Sequence, residues 1–156
     1  MMVYHSYEKA RGFDLNKIDY ERGIFAIPAW WVGNYPPAWG TKDYSPFHPN
    51  EFGDTAVGLD IDTNVKTFTT GEQIDAITEL FPDSPARQKI IDKYEMGDFG
   101  RERSDWHRLD KAIGKFLRKK GYKLIHYTDD PMYGNVWCVL NRSVIKEVKF
   151  PPEGEK

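Results

Sequence analysis

Apolar residues in the first half of the chain fall into short runs that predict β-strands. Residues 3–5 form a brief run, and residues 23–27 form a compact one that stops at Pro28. Between residues 55 and 62 apolar and polar positions alternate, as they do in a half-buried strand. Residues 36–54 contain four prolines and no such pattern, so we expect a long loop there.

The middle of the chain has helical spacing of its apolar residues in three segments. The first is expected to begin at a capping box over residues 70–73 and to end near Phe81. The second begins at Ser84, which precedes a proline at the first helical position. The third covers residues 105–120 behind Ser104. Its apolar stripe consists of Trp106, Leu109, Ile113, Phe116 and Leu117.

The last third of the chain predicts strands over residues 122–127, 136–140 and 143–150. A turn over residues 128–135 separates the first two, and we expect the three to form an antiparallel meander. Strands, then helices, then strands is the order of the α+β class, not the alternation of a parallel sheet. The length of 156 residues indicates one domain over residues 1–150, followed by a polar tail over 151–156.

Charge and composition narrow the function classes. The net charge is −2, from 22 basic and 24 acidic residues, so no general attraction to nucleic acid or anionic membranes is expected. The single cysteine, Cys138, excludes an internal disulfide framework and a multi-cysteine zinc site. No apolar run approaches the roughly 20 residues of a membrane helix, and the first residues do not form a signal peptide. We therefore expect a soluble, cytoplasmic protein with no membrane partner.

Three motifs follow one another along the chain. They are Tyr4-His5-Ser6-Tyr7, then Gly23-Ile24-Phe25-Ala26, then a unit from Lys120-Gly121-Tyr122 through Asp129 and Gly134 to the apolar runs 136–140 and 144–148. Together they resemble the small ADP-ribosyltransferase-like domains carried by phages and mobile elements. Residues 105–148 are most similar to the anti-CRISPR enzymes of that family. The resemblance implies split antiparallel β-sheets with peripheral helices, and NAD as cofactor.

The resemblance also implies contacts to the cofactor. His5 would bond a hydroxyl of the nicotinamide ribose, and Ser6 stands where the family prefers glycine beside the dinucleotide. Phe25 and Tyr35 are the aromatic candidates for the flat, cationic nicotinamide ring. Filling of the core is the other interpretation of both aromatic residues.

Asp129 is the candidate for the chemistry itself. It stands eight residues after Gly121, the spacing of the catalytic aspartate in the anti-CRISPR enzymes. A carboxylate there would stabilise the oxocarbenium-like transition state formed when the nicotinamide–ribose bond breaks. Asp130 is adjacent, and only one of the two can face the cleft, so which one is catalytic stays open. A simple turn before Pro131 is the competing interpretation.

Other polar residues favour structural interpretations. His126 is expected to be structural, and the alternative is a helper base, because histidine side chains in general can exchange a proton near neutral pH. Asp60 and Asp62 alternate on one strand without a third ligand, so we expect a solvated face and no metal. Cys138 lies in an apolar strand and is expected to be an inert core residue.

Three functional hypotheses remain. The first is an NAD-dependent mono-ADP-ribosyltransferase that modifies a macromolecular target, protein or nucleic acid, as a phage or mobile-element effector of anti-CRISPR or toxin type. The alternative is a non-catalytic binding or inhibitor protein on a degenerate ADP-ribosyltransferase fold. The third is a small nuclease using His5, His107 and His126, against which the near-neutral charge argues.

Overall fold

A computed structural model describes residues 1–8, 10–28, 55–100, 103–130 and 134–150 of the chain. Seven strands and three α-helices occur in these ranges. The strands are β1 (Met2–Tyr7), β2 (Ile24–Ala26), β3 (Thr55–Ile61), β4 (Thr67–Thr70), β5 (Leu124–Asp130), β6 (Gly134–Val139) and β7 (Ile145–Lys149). The helices are α1 (Gln73–Leu80), α2 (Pro85–Glu95) and α3 (Arg103–Lys119).

The strands form two sheets, which confirms the α+β class. The first sheet has the order β1-β3-β7 and the second the order β2-β6-β5-β4. Every pair is antiparallel except β4 and β5, which run parallel because the three helices connect them. Tyr4 of β1 and Ile27 exchange both backbone hydrogen bonds, at 2.8 and 3.0 Å, and this bridge joins the two sheets.

Alternation along the strands separates two hydrophobic cores. The inter-sheet core lies between the sheets and contains Val3, Ile24, Ala26, Val57, Leu59, Ile61, Leu124, Val139 and Val144. The helix-side core packs α1 and α3 on the second sheet and contains Ile27, Ala76, Ile77, Leu109, Ile113, Leu117, Ile125, Tyr127, Val136, Cys138 and Leu140. Leu124 thus faces one core and Ile125 the other, as the two-residue period of a strand requires.

The helix starts differ in part from expectation. Ser84 caps α2 as predicted, because its Oγ accepts a hydrogen bond from the Arg87 N–H at 3.2 Å. The capping box over residues 70–73 is wrong. Thr70 is still in β4, paired with Tyr127, so Glu72 becomes the N-cap and its N–H donates to Asp75 Oδ2 at 2.9 Å.

The third helix is displaced toward the N-terminus by about one residue. Ser104 lies inside α3, and the helix ends at Lys119 rather than at residue 120. Asp105 lies in the first turn, and its carboxylate accepts from the Gly100 N–H at 3.2 Å and from Lys93 Nζ at 2.8 Å. An acidic residue in the first turn is favourable beside the positive helix end.

The expected meander of the last three strands is also wrong. β7 leaves the second sheet and pairs with β3 of the first. A 3₁₀ turn over Arg142–Val144 redirects the chain, with Asn141 Oδ1 accepting from the Ser143 N–H at 2.9 Å. Val144 then enters the inter-sheet core. β4 was not predicted, because a four-residue segment rich in threonine has little apolar pattern.

The apolar stripe of α3 is confirmed at its centre and ends at the edge of the core. Leu109, Ile113 and Leu117 are buried. Phe116 is half-buried, with the Phe81 ring centroid 5.4 Å away and Lys120 Nζ 4.8 Å from its own centroid. Its side chain therefore contributes less buried area than a fully enclosed phenylalanine.

Stability should follow this gradient of burial. Ile113→Ala removes a fully enclosed side chain, so the free energy of unfolding in urea should fall by about 2–5 kcal/mol. Phe116→Ala should cost about 1–2 kcal/mol, because part of its ring is already in water. An equal or larger loss for Phe116→Ala would contradict the placement of α3.

Candidate functional site

His5 is fixed in one tautomer by the backbone of β2. Its Nδ1 lies 2.6 Å from the carbonyl oxygen of Phe25. A carbonyl only accepts, so Nδ1 carries the proton and Nε2 holds a lone pair. Burial lowers the pKa of His5, while the bond to the Phe25 carbonyl opposes this by raising it. The imidazole is therefore neutral near pH 7 and can accept a hydrogen bond from a hydroxyl at Nε2.

His5 of the first sheet and Phe25 of the second are adjacent through the backbone, but their rings pack toward different cores. The His5 ring packs on Phe13, at 5.6 Å between centroids, and Phe13 packs on the inter-sheet core. The Phe25 ring packs on the helix-side core and is parallel to the ring of Tyr127, at 6.5 Å and 7°. The Phe25 ring is half-buried and packs at the edge of the helix-side core.

Ser6 is buried in β1, opposite Ala56 of β3. Its side chain faces away from that of His5, since neighbours on a strand point to opposite faces. Tyr35 lies outside the described residues, as does the whole proline-containing stretch over residues 36–54.

Asp129 and Asp130 lie together where β5 ends beside the start of α1. The ladder with β6 shifts register between Tyr127 and Asp130, so strict alternation stops there. The Asp129 N–H donates to the Gly71 carbonyl at 2.9 Å, and its carboxylate is exposed. A Cβ at Gly71 would lie 2.5 Å from Asp75 Oδ2, so glycine leaves room for the Asp75 carboxylate, and the same Cβ would lie 3.5 Å from Asp129 Oδ2, in ordinary contact.

Asp130 is half-buried, and its charge acts on Tyr94 of α2. The pKa of Tyr94 rises to about 12, first because its hydroxyl donates to Glu72 Oε1 at 2.5 Å, then through burial and the charges of Glu72, Asp75 and Asp130. Phe25 and Ile125 both lie opposite Cys138 of β6 and therefore belong to one row of the sheet. Asp129 and Asp130 lie four and five residues beyond that row along β5. Asp129 and Asp130 are thus separated along the second sheet from Phe25 and from the His5 side chain that binds its carbonyl.

The rings of His126 on β5 and Trp137 on β6 are stacked, a contact that the sequence pattern alone did not predict. The His126 and Trp137 rings are parallel within 4°, with centroids 3.8 Å apart, and His126 Nε2 lies 2.8 Å from Asn135 Oδ1. Both rings are half-buried. His126 and Trp137 are paired across the turn that the sequence predicts over residues 128–135. Pairing residues in order on either side of that turn would therefore have placed these two rings opposite each other.

These rings lie where the inter-sheet core opens to solvent. Ala26, Trp137 and His126 form one row across the second sheet, and the Tyr4–Ile27 bridge extends that row to His5. The preceding row, Ile24, Val139 and Leu124, is fully buried. Flat rings, a neutral histidine acceptor and the Asn135 amide suit a planar polar group at this opening.

A buried carboxyl group occurs on the other face of the sheet. Asp110 of α3 accepts from Gln73 Nε2 at 2.9 Å, and its Oδ2 lies 3.6 Å from an Arg22 guanidinium nitrogen. Burial raises the pKa of Asp110 to about 6, although the Gln73 bond and the Arg22 charge act in the opposite direction. These contacts tie α3, α1 and the segment before β2 together.

Cys138 is buried, which confirms its predicted place in the core. Burial also raises the pKa of its thiol well above the usual value. In the described ranges no three His, Cys, Asp or Glu side chains group as metal ligands would. Within the same ranges, no helix has the length and apolar character to cross a membrane.

Comparison with known proteins adds one structure. Neither a protein-family model nor a curated protein sequence matches this chain. A solved structure described as "Crystal structure of an anti-CRISPR protein" is similar at 14% identity and a TM-score of 0.41, covering 96% of this chain and 93% of that one. At these values the likeness assigns neither a site nor an activity to this chain.

The raised pKa of Asp110 predicts how stability depends on pH. The native state holds this proton more tightly than the unfolded chain, so the stabilising contribution is greatest in acid and falls as pH rises from about 4 through 6. Urea unfolding across that range should show less decline for Asp110→Asn than for the parent. Asp83→Asn, whose parent side chain is 84% exposed, should retain the decline and serves as the control.

Proposed function

We propose that this chain is a non-catalytic binding or inhibitor protein that acts by occupying the surface of a macromolecular partner. The observation that supports this proposal is the separation of the residues that ADP-ribosyl transfer would need. The His5 and Phe25 rings pack toward different cores, and Asp129 lies four residues beyond the level of Phe25. A transferase needs these groups within one cleft.

A connected set of rings offers the binding surface. Phe13 is 5.6 Å from His5, 5.9 Å from Tyr7 and 6.4 Å from Phe150, measured between centroids. Phe150 is 53% exposed, so the set runs from the opening of the inter-sheet core to solvent. Aromatic side chains supply large rigid contact area and dominate the energetics of many protein interfaces. We name His5, Tyr7, Phe13 and Phe150 the aromatic patch.

The sequence resemblance suggests which partner to test first. Domains of this kind in phages include anti-CRISPR enzymes, so a CRISPR surveillance complex is the first candidate. Binding to such a complex without NAD is what the proposal requires, because occupation of a surface needs no cofactor.

ADP-ribosyl transfer is the second candidate, and the tautomer of His5 favours it. Nε2 of a neutral imidazole is the acceptor that a ribose hydroxyl needs. On this proposal His5 orients the ribose and Asp129 faces the positive charge that develops at C1′. The bond from C1′ to nicotinamide breaks, and a target nucleophile forms the new bond to C1′ and releases its proton to solvent. Phe25 would support the strand instead of touching the ring.

The binding proposal predicts a local loss of affinity. Phe150→Ala removes an exposed ring of the aromatic patch, so affinity for an immobilised surveillance complex should fall by about tenfold or more in NAD-free buffer. Met96→Ala is the matched control, because Met96 is 74% exposed at the C-terminal end of α2 and lies outside the patch. Equal binding by Phe150→Ala and the parent would contradict the assignment of this surface.

Asp129→Asn separates binding from catalysis. It removes one exposed charge and retains a similar shape, so a binder keeps its full inhibitory effect and releases no nicotinamide from NAD. A transferase would release nicotinamide, and its turnover should fall by roughly 10²–10³ in this variant. Asp130→Asn is measured alongside, because the sequence alone leaves the choice between the two acids open. Transfer of label from NAD to a partner by the parent would overturn the binding proposal.

A further inference from the structure

Six lysine and arginine side chains in the described ranges have a carboxylate partner. Arg22 pairs with Asp110 and Lys93 with Asp105, at 3.6 and 2.8 Å. Further pairs are Arg11–Glu8, Arg87–Asp83, Arg108–Asp105 and Lys111–Asp19. This mixing of signs is normal for a chain with a net charge of −2.

Five exposed lysines without such a partner lie close together, whereas others without one, such as Lys17, Lys89 and Lys146, lie apart from them in the sequence. The five are Lys66, Lys115, Lys119, Lys120 and Lys123, which we name the lysine patch. Lys66 Nζ donates to the Lys120 carbonyl at 2.7 Å, and the Lys123 N–H donates to the Lys66 carbonyl at 3.0 Å, so the members are contiguous. In the part of the chain that the structure describes, no ion pair joins any of them to a carboxylate.

Aromatic rings hold two of the five ammonium groups of the lysine patch in place. Lys66 Nζ lies 4.4 Å from the Tyr122 ring centroid and Lys120 Nζ lies 4.8 Å from that of Phe116. Such contacts fix long side chains that would otherwise move freely. Arg118, by contrast, is turned inward, where its guanidinium donates to the carbonyls of Tyr20 and Glu21. The exposed charges of the patch are therefore all ammonium groups.

The direction of two strands separates this patch from the acids. β4 and β5 are parallel, and both begin beside the lysine patch. They end near the acidic side chains Glu72, Asp75, Asp129 and Asp130. The near-zero net charge conceals a molecule that is positive at one end of the sheet and negative at the other.

We propose that the lysine patch binds the phosphate backbone of a nucleic acid. Ammonium groups act as point charges on phosphates and need no bidentate geometry. A surface without an interspersed acid matches a continuous polyanion, whereas acidic protein surfaces usually carry cations as well. The acidic end repels the nucleic acid and so confines it to the lysine patch.

The test measures the anisotropy of a fluorescein-labelled single-stranded RNA of mixed sequence, titrated with full-length protein over a range of salt. The variant combines K115Q, K119Q and K123Q, whose parent side chains are exposed. The matched control combines K17Q, K89Q and K146Q, also exposed and with the same change in net charge. Circular dichroism melting checks that both retain the fold.

We expect the patch variant to bind at least tenfold more weakly, with a slope of log affinity against log salt reduced by about 2. The control should match the parent in both. The proposal is overturned if the patch variant binds like the parent, or if the control loses as much. It is also overturned if the parent binds poly-glutamate but not RNA, which would identify an acidic protein as the partner.

Discussion

The backbone bridge between Tyr4 and Ile27 is the contact on which the arrangement of the molecule depends. It brings the edge of the first sheet to the edge of the second, so that the inner faces of both enclose one inter-sheet core. The bridge also carries His5 into the row that contains Trp137 and His126, and lets its Nδ1 reach the Phe25 carbonyl. Core packing and the chemical state of His5 thus follow from one antiparallel contact.

The two faces and the two ends of the second sheet differ in their surroundings. Its helix-side face is filled by α1 and α3, its inner face opens beside the stacked His126–Trp137 pair, and its two ends carry opposite charge. The parallel pairing of β4 and β5 is the cause of that polarity, because both strands run from the lysine patch to the acids. A fully antiparallel sheet would have mixed the two signs at each end.

The fold was more predictable than the site. The alternation over residues 55–62 predicts a strand and the apolar stripe of α3 predicts a helix. Both predictions follow because burial of one face imposes a period of two on a strand and of about 3.6 on a helix. β4 could not be predicted from the sequence, since a four-residue polar strand has no such period. The pairing of β7 with β3 could not be predicted either, because it depends on packing between residues far apart in the chain. Thr70 illustrates the limit: its capping motif was present, but pairing with Tyr127 outweighed it.

By itself, the sequence determined the α+β class, the buried Cys138, the Ser84 cap and the two adjacent acids at the end of β5, because each depends on residues close along the chain. Only the tertiary structure decided that the His5 and Phe25 rings pack toward different cores, that His126 stacks on Trp137, and that five lysines gather without carboxylate partners in the described chain. These features join residues far apart in sequence. Their geometry is set by strand register and sheet pairing, which local patterns of polarity do not encode.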